Sequence, residues 1–479
     1  MDENLLAQVK SLLSQNYSPD EVKSRLTKQG LHELNAEQLV AKAVSQLKIV
    51  REDSDKSFVK KLVWKEVLDR VGYGFVSNPF VNILFSLSGA SYFTIGLVNG
   101  LRMIFSMIYS SFLKEFSKVQ KLSKNFISNA GILYGFSFLV MSFAVVLKSP
   151  FIYTLAFLIG GLGVVAHGEL YSNFLKSNIK REHRAGLAKI SKYGILITIV
   201  SLLFSGYVIE FFSIKGKEVA FSLFGSSFNF NVYGYLISFE VTAFAFIFSG
   251  LLFSYVKQKK PVIQKTMSSF IRDFFASIKV HKHLFFKNKA VLLLGISSLI
   301  MGLVQTLGNS FYGIFIYNTF EKHFFGGFLN VAVVFSVAAV CSLFGPWFTR
   351  TLHRHLGISP MLVFGTLLSA MLPLSLAYNP NFVVVIMASA FSIIGASILG
   401  MAQSFFAKKL FSEEQRKTYF SFIGVILAFP LLFLIPLGAF FAQQSIVFLF
   451  KIIILLLVFV VAPIYLAIVI LYERKSFIS

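Results

Sequence analysis

Twelve long runs of apolar residues follow one another between residues 72 and 471, and they limit the possible folds more than any other feature. A helix that crosses hydrocarbon needs about 20 apolar residues, whereas a membrane barrel strand needs only about 10 alternating ones. The runs are long and continuous, so we predict an all-α polytopic membrane protein. The predicted spans are 72–88, 92–113, 125–147, 151–175, 190–211, 231–255, 290–317, 326–348, 358–378, 381–407, 418–440 and 445–471.

The composition supports lipid as the solvent for most of the chain. Hydrophobic residues make up 56% of the 479 residues, charged residues make up 14%, and there are 57 Phe residues. Soluble domains carry roughly 25% charged residues. The single cysteine, Cys341, cannot form an intrachain disulfide or a cysteine-based metal site. No phosphate loop, HExxH motif or credible catalytic triad is present, so we predict no enzyme activity, no cofactor and no metal site.

The excess positive charge has a regular placement along the chain. The formal net charge is +23, yet residues 1–70 are nearly balanced. Lys and Arg are concentrated in the connections after spans 2, 4, 6, 8 and 10 and are sparse in the alternate connections. The positive-inside rule therefore predicts that both termini lie in the cytoplasm and that the protein spans the cell membrane. Anionic lipid headgroups, rather than nucleic acid, are the expected partners of this basic surface.

The long connection 256–289 divides the spans into two sets of six, 72–255 and 290–471. The charged segment that ends in Arg184 follows span 4, and the one that ends in Arg416 follows span 10, at equivalent places in the two sets. Parallel repeats of this kind are a transporter architecture. We therefore predict two pseudo-symmetric six-helix bundles, preceded by a small cytosolic helical unit.

Several short motifs resemble those of the major facilitator superfamily over about residues 72–471. The segment Gly89-Ala90-Ser91-Tyr92-Phe93-Thr94-Ile95-Gly96 is similar to the family's first external turn, and Glu182-His183-Arg184 and Glu413-Glu414-Gln415-Arg416 are similar to its loop after span 4. The loop after span 2 departs from the family pattern in its charge order and lacks the usual glycines. The resemblance implies alternating access, a cavity lined by spans 1, 4, 7 and 10, and loops that gate it. The implied gate residues are Lys114, Glu115, Arg184, Arg350 and Arg416.

Residues 1–46 read as a helical accessory unit. Ser18-Pro19-Asp20-Glu21 is typical of a helix start, Gly30 suits a helix end, and Asn35 is expected to cap a second helix that runs to about residue 47. The unit is either a module for a cytosolic partner or a solvated accessory. Residues 47–71 and 263–278 are each predicted to be either an amphipathic helix on the inner leaflet or an ordinary packing helix. Residues 472–479 form a cytosolic tail.

Two charges of opposite sign lie near the middle of predicted spans. Arg102 is at the centre of span 2, and Glu240 is three residues from the centre of span 6. A charge near the bilayer centre costs at least about 2.5–3.5 kcal/mol, so each is a candidate functional group. Either they form a buried ion pair, or Arg102 holds an anionic solute or serves as the counter-ion of a protonatable Glu240.

His167 and Glu169 lie towards the inner end of span 4, on different faces of the helix. Because the resemblance places span 4 beside the cavity, either group is a candidate proton-coupling site. The alternative is that both are interfacial groups in contact with water.

Spans 1 and 7 each carry a polar stripe. The candidate binding residues are Asn78 and Asn82 in span 1, and Gln305, Asn309 and Tyr312 in span 7. Such stripes fit either a wet cavity between the two halves or hydrogen bonds between helices.

These observations together favour a monomeric secondary active transporter that moves a small organic solute by alternating access, with protons as the coupling ion. A lipid or lipid-linked-sugar translocase of the same fold is the first alternative, and it requires a Phe-lined cavity. A polytopic membrane enzyme or a non-transporting sensor or scaffold would belong to other classes.

Overall fold

The structure is a computed structural model of the full chain. It describes residues 3–14, 17–119, 124–178, 181–213, 215–223, 226–256, 272, 274, 276 and 289–476. The chain divides into two compact units, residues 1–64 and residues 65–479.

The first unit is helical, as predicted. Helix α1 spans Glu3–Ser14, α2 spans Pro19–Lys28, and α3 begins at Glu33. The side chain of Ser18 accepts the backbone N–H of Glu21, and Glu21 accepts the N–H of Ser18, which forms the predicted capping box. These bonds lower the pKa of the Glu21 carboxyl, so their contribution to stability is lost as the pH falls through that pKa. The unit has a core of its own, made of Val9, Val22, Leu26, Ala36, Leu39, Val40 and Ala43.

Helix α3 corrects one prediction about this region. It runs from Glu33 to Phe75, so the predicted end near residue 47 is wrong. The first helical bond runs from the N–H of Ala36 to the carbonyl of His32, which places Asn35 inside the helix rather than at its cap. A continuous helix satisfies its own backbone groups, and no glycine or proline interrupts this sequence before Gly72.

The first predicted span is broken at the position of its proline. Helix α3 ends at Phe75, and α4 spans Asn78–Leu87 with Pro79 in its first turn. Proline has no N–H to donate and is suited to a helix start. Ten residues of helix are only about 15 Å long, so span 1 needs the last turns of α3 as well as α4.

Eleven further helices within the described residues are long and apolar enough to cross a membrane. They support the predicted spans 2–12. Spans 2–6 are α5 (Tyr92–Val119), α6 (Lys124–Val146), α7 (Pro150–Asn178), α8 (Arg181–Phe212) and α9 (Gly234–Ser254). Spans 7–12 are α10 (Lys289–Phe320), α11 (Gly327–Leu356), α12 with α13 (Ile358–Ser369 and Met371–Tyr378), α14 (Phe382–Leu410), α15 (Glu413–Gln444), and α16, a π-helix and α17 (Ile446–Leu455, Leu456–Val461 and Ala462–Ser476).

Prolines account for the irregularities in spans 9 and 12. Pro373 cannot donate to the carbonyl of Ser369, where α12 ends, and the hydroxyl of Ser392 donates to that carbonyl instead at 3.0 Å. In span 12 the π-helix ends at Val461, two residues before Pro463. Pro463 has no N–H to donate, so one regular helical hydrogen bond is missing at this turn.

The two halves pack through pairs of spans related by a shift of six. Span 2 packs along span 11, and span 5 packs along span 8, which is the same pair after the shift. Span 1 packs against span 7, its own equivalent. Within the halves, the pairs 3–4, 3–6 and 2–4 correspond to 9–10, 9–12 and 8–10. The chain therefore has the predicted pseudo-symmetric pair of six-helix bundles.

The outer faces of the bundles are apolar, as lipid requires. Phe433 is 79% exposed and Phe459 is 72% exposed, with Phe143 and Phe151 exposed to a similar degree. In water these rings would form extended apolar patches. The faces therefore fit hydrocarbon.

Two features of the connections complete the fold. A hairpin that was not predicted lies between α8 and α9, with β1 (Lys217–Leu223) antiparallel to β2 (Ser226–Val232) and Val219 paired with Phe230. Most of the predicted amphipathic helix 263–278 lies outside the described residues. Phe274 is buried, with its ring 5.7 Å from that of Phe112.

Candidate functional site

A polar cavity of about 220 Å³ lies between the two halves. Its walls come from spans 1 and 2 of the first half and span 7 of the second. We call it the central cavity. The described residues that line it are Asn78, Asn82, Asn99, Arg102, Met103, Ser106, Thr306, Asn309 and Ser310. None of them belongs to spans 4 or 10, which the resemblance also implied.

Arg102 supplies the charge of the central cavity. Its guanidinium stacks over the ring of Phe157 at 4.3 Å, a cation–π contact. Gly161 leaves room for the side chain, since a Cβ there would lie 2.9 Å from Cγ of Arg102. Among the described residues no carboxylate lies within 4.0 Å of the guanidinium. Arg102 is therefore a partly buried cation that stacks on an aromatic ring and has no carboxylate counter-ion among the described residues.

Asparagine side chains link the two halves beside Arg102. The amide of Asn99 donates to Oδ1 of Asn82 at 2.9 Å and to the carbonyl of Ile95 at 2.9 Å. Asn82 in turn donates to the backbone carbonyl of Asn309 at 3.1 Å, across the boundary between the halves. The stripe on span 1 therefore both lines the cavity and forms a hydrogen bond between helices.

Three other predicted site residues lie elsewhere. Gln305 is exposed and is not among the lining residues, and the buried Tyr312 packs its ring 5.3 Å from that of Phe450. Glu240 is exposed on the same face of α9 as Phe244 and Phe248, which are also exposed. It makes no ion pair with Arg102, because its helix turns this face away from the bundle interior.

A second polar site lies inside the first half, and the sequence analysis identified only one of its members. We call it the buried cluster: Lys65 and Asp69 of α3, His167 of α7 and Ser249 of α9. Their exposed fractions are 0%, 5%, 2% and 0%. Lys65 donates to Oδ2 of Asp69 and Ser249 donates to Oδ1. Nε2 of His167 lies 3.0 Å from Nζ of Lys65 and 3.2 Å from Oδ2 of Asp69.

Lys65 lies in the protein interior and not at the membrane surface. It belongs to residues 47–71, for which a helix on the inner leaflet was one of the two predictions, whereas its side chain is fully buried over the ring of Tyr171, 3.5 Å from the ring centroid. The signal was present in the spacing, because Lys65, Asp69 and Gly72 share one face of α3. His167 is likewise buried rather than interfacial.

Glu169 belongs to neither site. Its Oε1 accepts the hydroxyl of Ser110 at 2.6 Å and lies 3.4 Å from Nζ of Lys114, so it ties span 4 to span 2. Its helix position puts it on a different face from His167, as predicted.

The predicted gate residues have mixed surroundings. Lys114 pairs with Glu169, and Arg350 is exposed. Arg416 lies in the first turn of α15, which Ser412 caps through a capping box. The side chain of Arg184 lies outside the described residues. Glu115 is half-buried near the end of α5.

The cavity also contains polar groups that the sequence analysis missed. Asn99 and Ser106 share a face with Arg102, and Thr306 and Ser310 share one with Asn309. Spacings of three and four residues are the signal that would have identified them.

Comparisons with known proteins agree with this architecture. A scan against protein-family models found no match, and a search of curated protein sequences found none either. Solved structures do match. A crystal structure of a mutant of the nucleoside transporter NupG is similar at a TM-score of 0.64 and 14% identity, over 86% of this chain and 99% of that one.

Two further structures match at similar levels. A bacterial homologue of the human lysosomal transporter Spinster, in an inward-facing and unoccupied conformation, has a TM-score of 0.58 at 14% identity, over 87% of this chain and 97% of that one. A bacterial homologue of the iron transporter ferroportin, in an inward-facing state, has a TM-score of 0.54 at 13% identity, over 86% and 98%. The chain therefore shares the fold of these transporter structures, in agreement with the fold that the resemblance implied.

Proposed function

We propose that this protein is a secondary active transporter that moves a small anionic organic solute through the central cavity by alternating access, with protons as the coupling ion. The observation that carries the proposal is Arg102, a cation without a described carboxylate partner, which lines a polar cavity between two pseudo-symmetric halves. A cation in such a place is costly, and an anionic solute would offset that cost.

The cavity limits the solute. Its volume of about 220 Å³ is below the roughly 300–1,000 Å³ typical of pockets for drug-sized ligands, so we expect a smaller molecule. Amide and hydroxyl groups surround Arg102, and they suit the hydroxyl or carbonyl groups of a small carboxylate or phosphate ester. Met103 is the one apolar side chain among the described lining residues, so no Phe-lined chamber favours a lipid translocase.

Alternating access requires contacts between the halves that can open. Gly96 of span 2 faces Ala439 of span 11, and Gly313 of span 7 faces Pro79 of span 1, in each case so closely that a Cβ on the glycine would lie within 3.0 Å of the neighbour. Phe93 donates its N–H to the side chain of Gln443 at 3.0 Å. With the termini in the cytoplasm, as the positive-inside rule predicts, these contacts close the outer side.

The fold leaves the cargo open, since the solved structures that share it include a nucleoside transporter and homologues of a lysosomal and an iron transporter. We expect the protein to act as a monomer in the cell membrane. We further expect residues 1–46 to be available to a cytosolic partner.

Counterflow in proteoliposomes tests the proposal. Vesicles loaded with unlabelled lactate, succinate, glutamate or glycerol 3-phosphate are assayed for uptake of the same labelled solute, with glucose as the neutral comparison. We expect exchange of at least one anion and not of glucose. Arg102→Gln should weaken it about 10–100-fold, because hydrogen bonds to charged groups contribute about 1.5–3 kcal/mol.

The matched control is Arg354→Gln, which removes an exposed arginine near the end of α11 that neither lines the cavity nor belongs to the implied gate residues. This variant should exchange the solute like the unmodified protein. Exchange of glucose alone, or full activity of Arg102→Gln, would contradict an anionic solute.

A further inference from the structure

The buried cluster has a complete hydrogen-bonding pattern in one protonation state. Oδ1 of Asp69 accepts from Ser249 and Oδ2 accepts from Lys65, so both carboxylate oxygens are occupied and the carboxyl is ionised. The ammonium of Lys65 balances that charge. Nδ1 of His167 lies 3.2 Å from the carbonyl oxygen of Ile127, which can only accept, so Nδ1 carries the hydrogen.

This pattern leaves one site for an additional proton. With its hydrogen on Nδ1, the neutral imidazole has a lone pair on Nε2, and that lone pair accepts from Nζ of Lys65 at 3.0 Å. When Nε2 is protonated it becomes a donor, and Oδ2 of Asp69 is already within reach at 3.2 Å. Lys65 must then give up its bond to Nε2, while it keeps Asp69 and the ring of Tyr171.

We propose that the buried cluster is the proton-binding site of this transporter and that Nε2 of His167 is the atom that takes up the proton. The step is balanced: one proton from water adds to the Nε2 lone pair, the Lys65–His167 hydrogen bond breaks, and a His167–Asp69 hydrogen bond forms. The inference rests on the proposed proton-coupled transport. It names the site at which that coupling occurs.

The groups around the cluster do not compensate the added charge. On α3, Glu66 and Arg70 pair with each other at 2.9 Å, and Tyr73 is a neutral phenol. The facing groups on the neighbouring helices, Tyr134 of α6 and Tyr171 of α7, are also phenols. Proton uptake therefore adds one positive charge that the described groups around the cluster do not compensate.

That charge is close enough to the central cavity to affect solute binding. Gly161, which contacts Arg102, lies six residues before His167 on α7, a rise of about 9 Å. The rings of Tyr73 and Tyr134 lie between the two sites, with centroids 6.3 Å apart. A charge at this distance should favour an anion beside Arg102 by roughly tenfold, and the anion should favour the proton by the same factor.

Nuclear magnetic resonance of ¹⁵N-histidine-labelled protein in proteoliposomes tests the proton site without any solute. The His167 ring signals are assigned by their loss in His167→Gln and His167→Asn, two variants so that one misfolded protein does not decide the matter. The control is His355→Gln, an exposed histidine near the end of α11. Spectra are recorded between about pH 8 and about pH 5, and we expect the Nδ1–H form to give way to the doubly protonated ring as the pH is lowered. A His167 signal that stays unchanged over this range would overturn the proposal.

A transport experiment distinguishes failure of the proton site from failure of the proposed function. It uses the anion that exchanges fastest among lactate, succinate, glutamate and glycerol 3-phosphate. A gradient of one pH unit can drive about tenfold accumulation for one proton per solute. We expect His167→Gln to keep counterflow and lose this accumulation. Unchanged accumulation would refute the proton site alone, whereas absence of counterflow in the unmodified protein would refute the proposed function.

Discussion

Arg102 and Lys65 are both basic side chains inside the first half of the protein, but their surroundings are opposite. Lys65 is fully buried and donates to Asp69, whereas Arg102 borders the central cavity and has no carboxylate partner among the described residues. A paired charge in a dry interior is satisfied by the protein, and an unpaired charge beside a cavity is available to a ligand. The comparison separates the proposed proton site from the proposed solute site.

The largest effect is expected from removing the negative charge of the buried cluster. Asp69→Asn leaves the ammonium of Lys65 buried without a counter-ion, which should cost about 3–5 kcal/mol of unfolding free energy. Unfolding in mixed micelles, followed by circular dichroism, measures the change. Arg102→Gln should change the same quantity by less than about 1 kcal/mol, because it removes a charge that has no such partner.

The double variant Lys65→Met with Asp69→Leu checks the cause. Replacing both members of a buried pair with apolar residues is often close to neutral, so most of the lost stability should return. If the double variant were as unstable as Asp69→Asn, loss of packing rather than an unpaired charge would be responsible.

A smaller difference is expected between two serines. Ser249 donates to the Asp69 carboxylate, and Ser249→Ala should cost about 1.5 kcal/mol of unfolding free energy because the hydrogen bond has a charged acceptor. Ser106 lines the cavity and has no hydrogen bond within the described part of the chain, so Ser106→Ala should stay within about 0.5 kcal/mol. The same unfolding assay measures both variants. Equal costs would contradict the view that one site is internally satisfied and the other is not.

Much of the fold could be predicted because hydropathy and positive charge act locally along the chain. The spans and the two halves follow from runs of neighbouring residues. The hairpin between α8 and α9 was missed, although its residues alternate in the way that strands do. The extent of α3 was missed because helix signals near residue 47 are weak.

The sites were less predictable, because they depend on which helix faces meet. Arg102 was identified by its depth alone, and depth is local. Its supposed partner Glu240 has a similar depth but points out of the bundle, a difference that only helix packing decides. Lys65 and Asp69 were not predicted as site residues, because their partner His167 is about 100 residues away in the sequence.

Two glycines lie against the two sites, Gly161 against Arg102 and Gly131 against His167. A Cβ on Gly161 would press on the Arg102 side chain at 2.9 Å, and a Cβ on Gly131 would press on Nδ1 of His167 at 3.0 Å. Arg102 is flexible and borders open volume, so it can move away. His167 is restrained on both ring nitrogens, by Ile127 on one side and by Lys65 and Asp69 on the other.

Gly161→Ala should therefore leave the unfolding free energy unchanged or raise it slightly, since alanine favours the helix by up to about 1 kcal/mol, while counterflow of the anion weakens several-fold. Gly131→Ala should lower the unfolding free energy by about 1 kcal/mol despite the same helix gain, because overpacking costs about 1–3 kcal/mol. The unfolding free energy and the counterflow rate are both measured on the same preparations of the two variants. If Gly131→Ala were the stable variant and Gly161→Ala the unstable one, Arg102 would be the rigid group and His167 the free one, and the two sites would have to exchange roles.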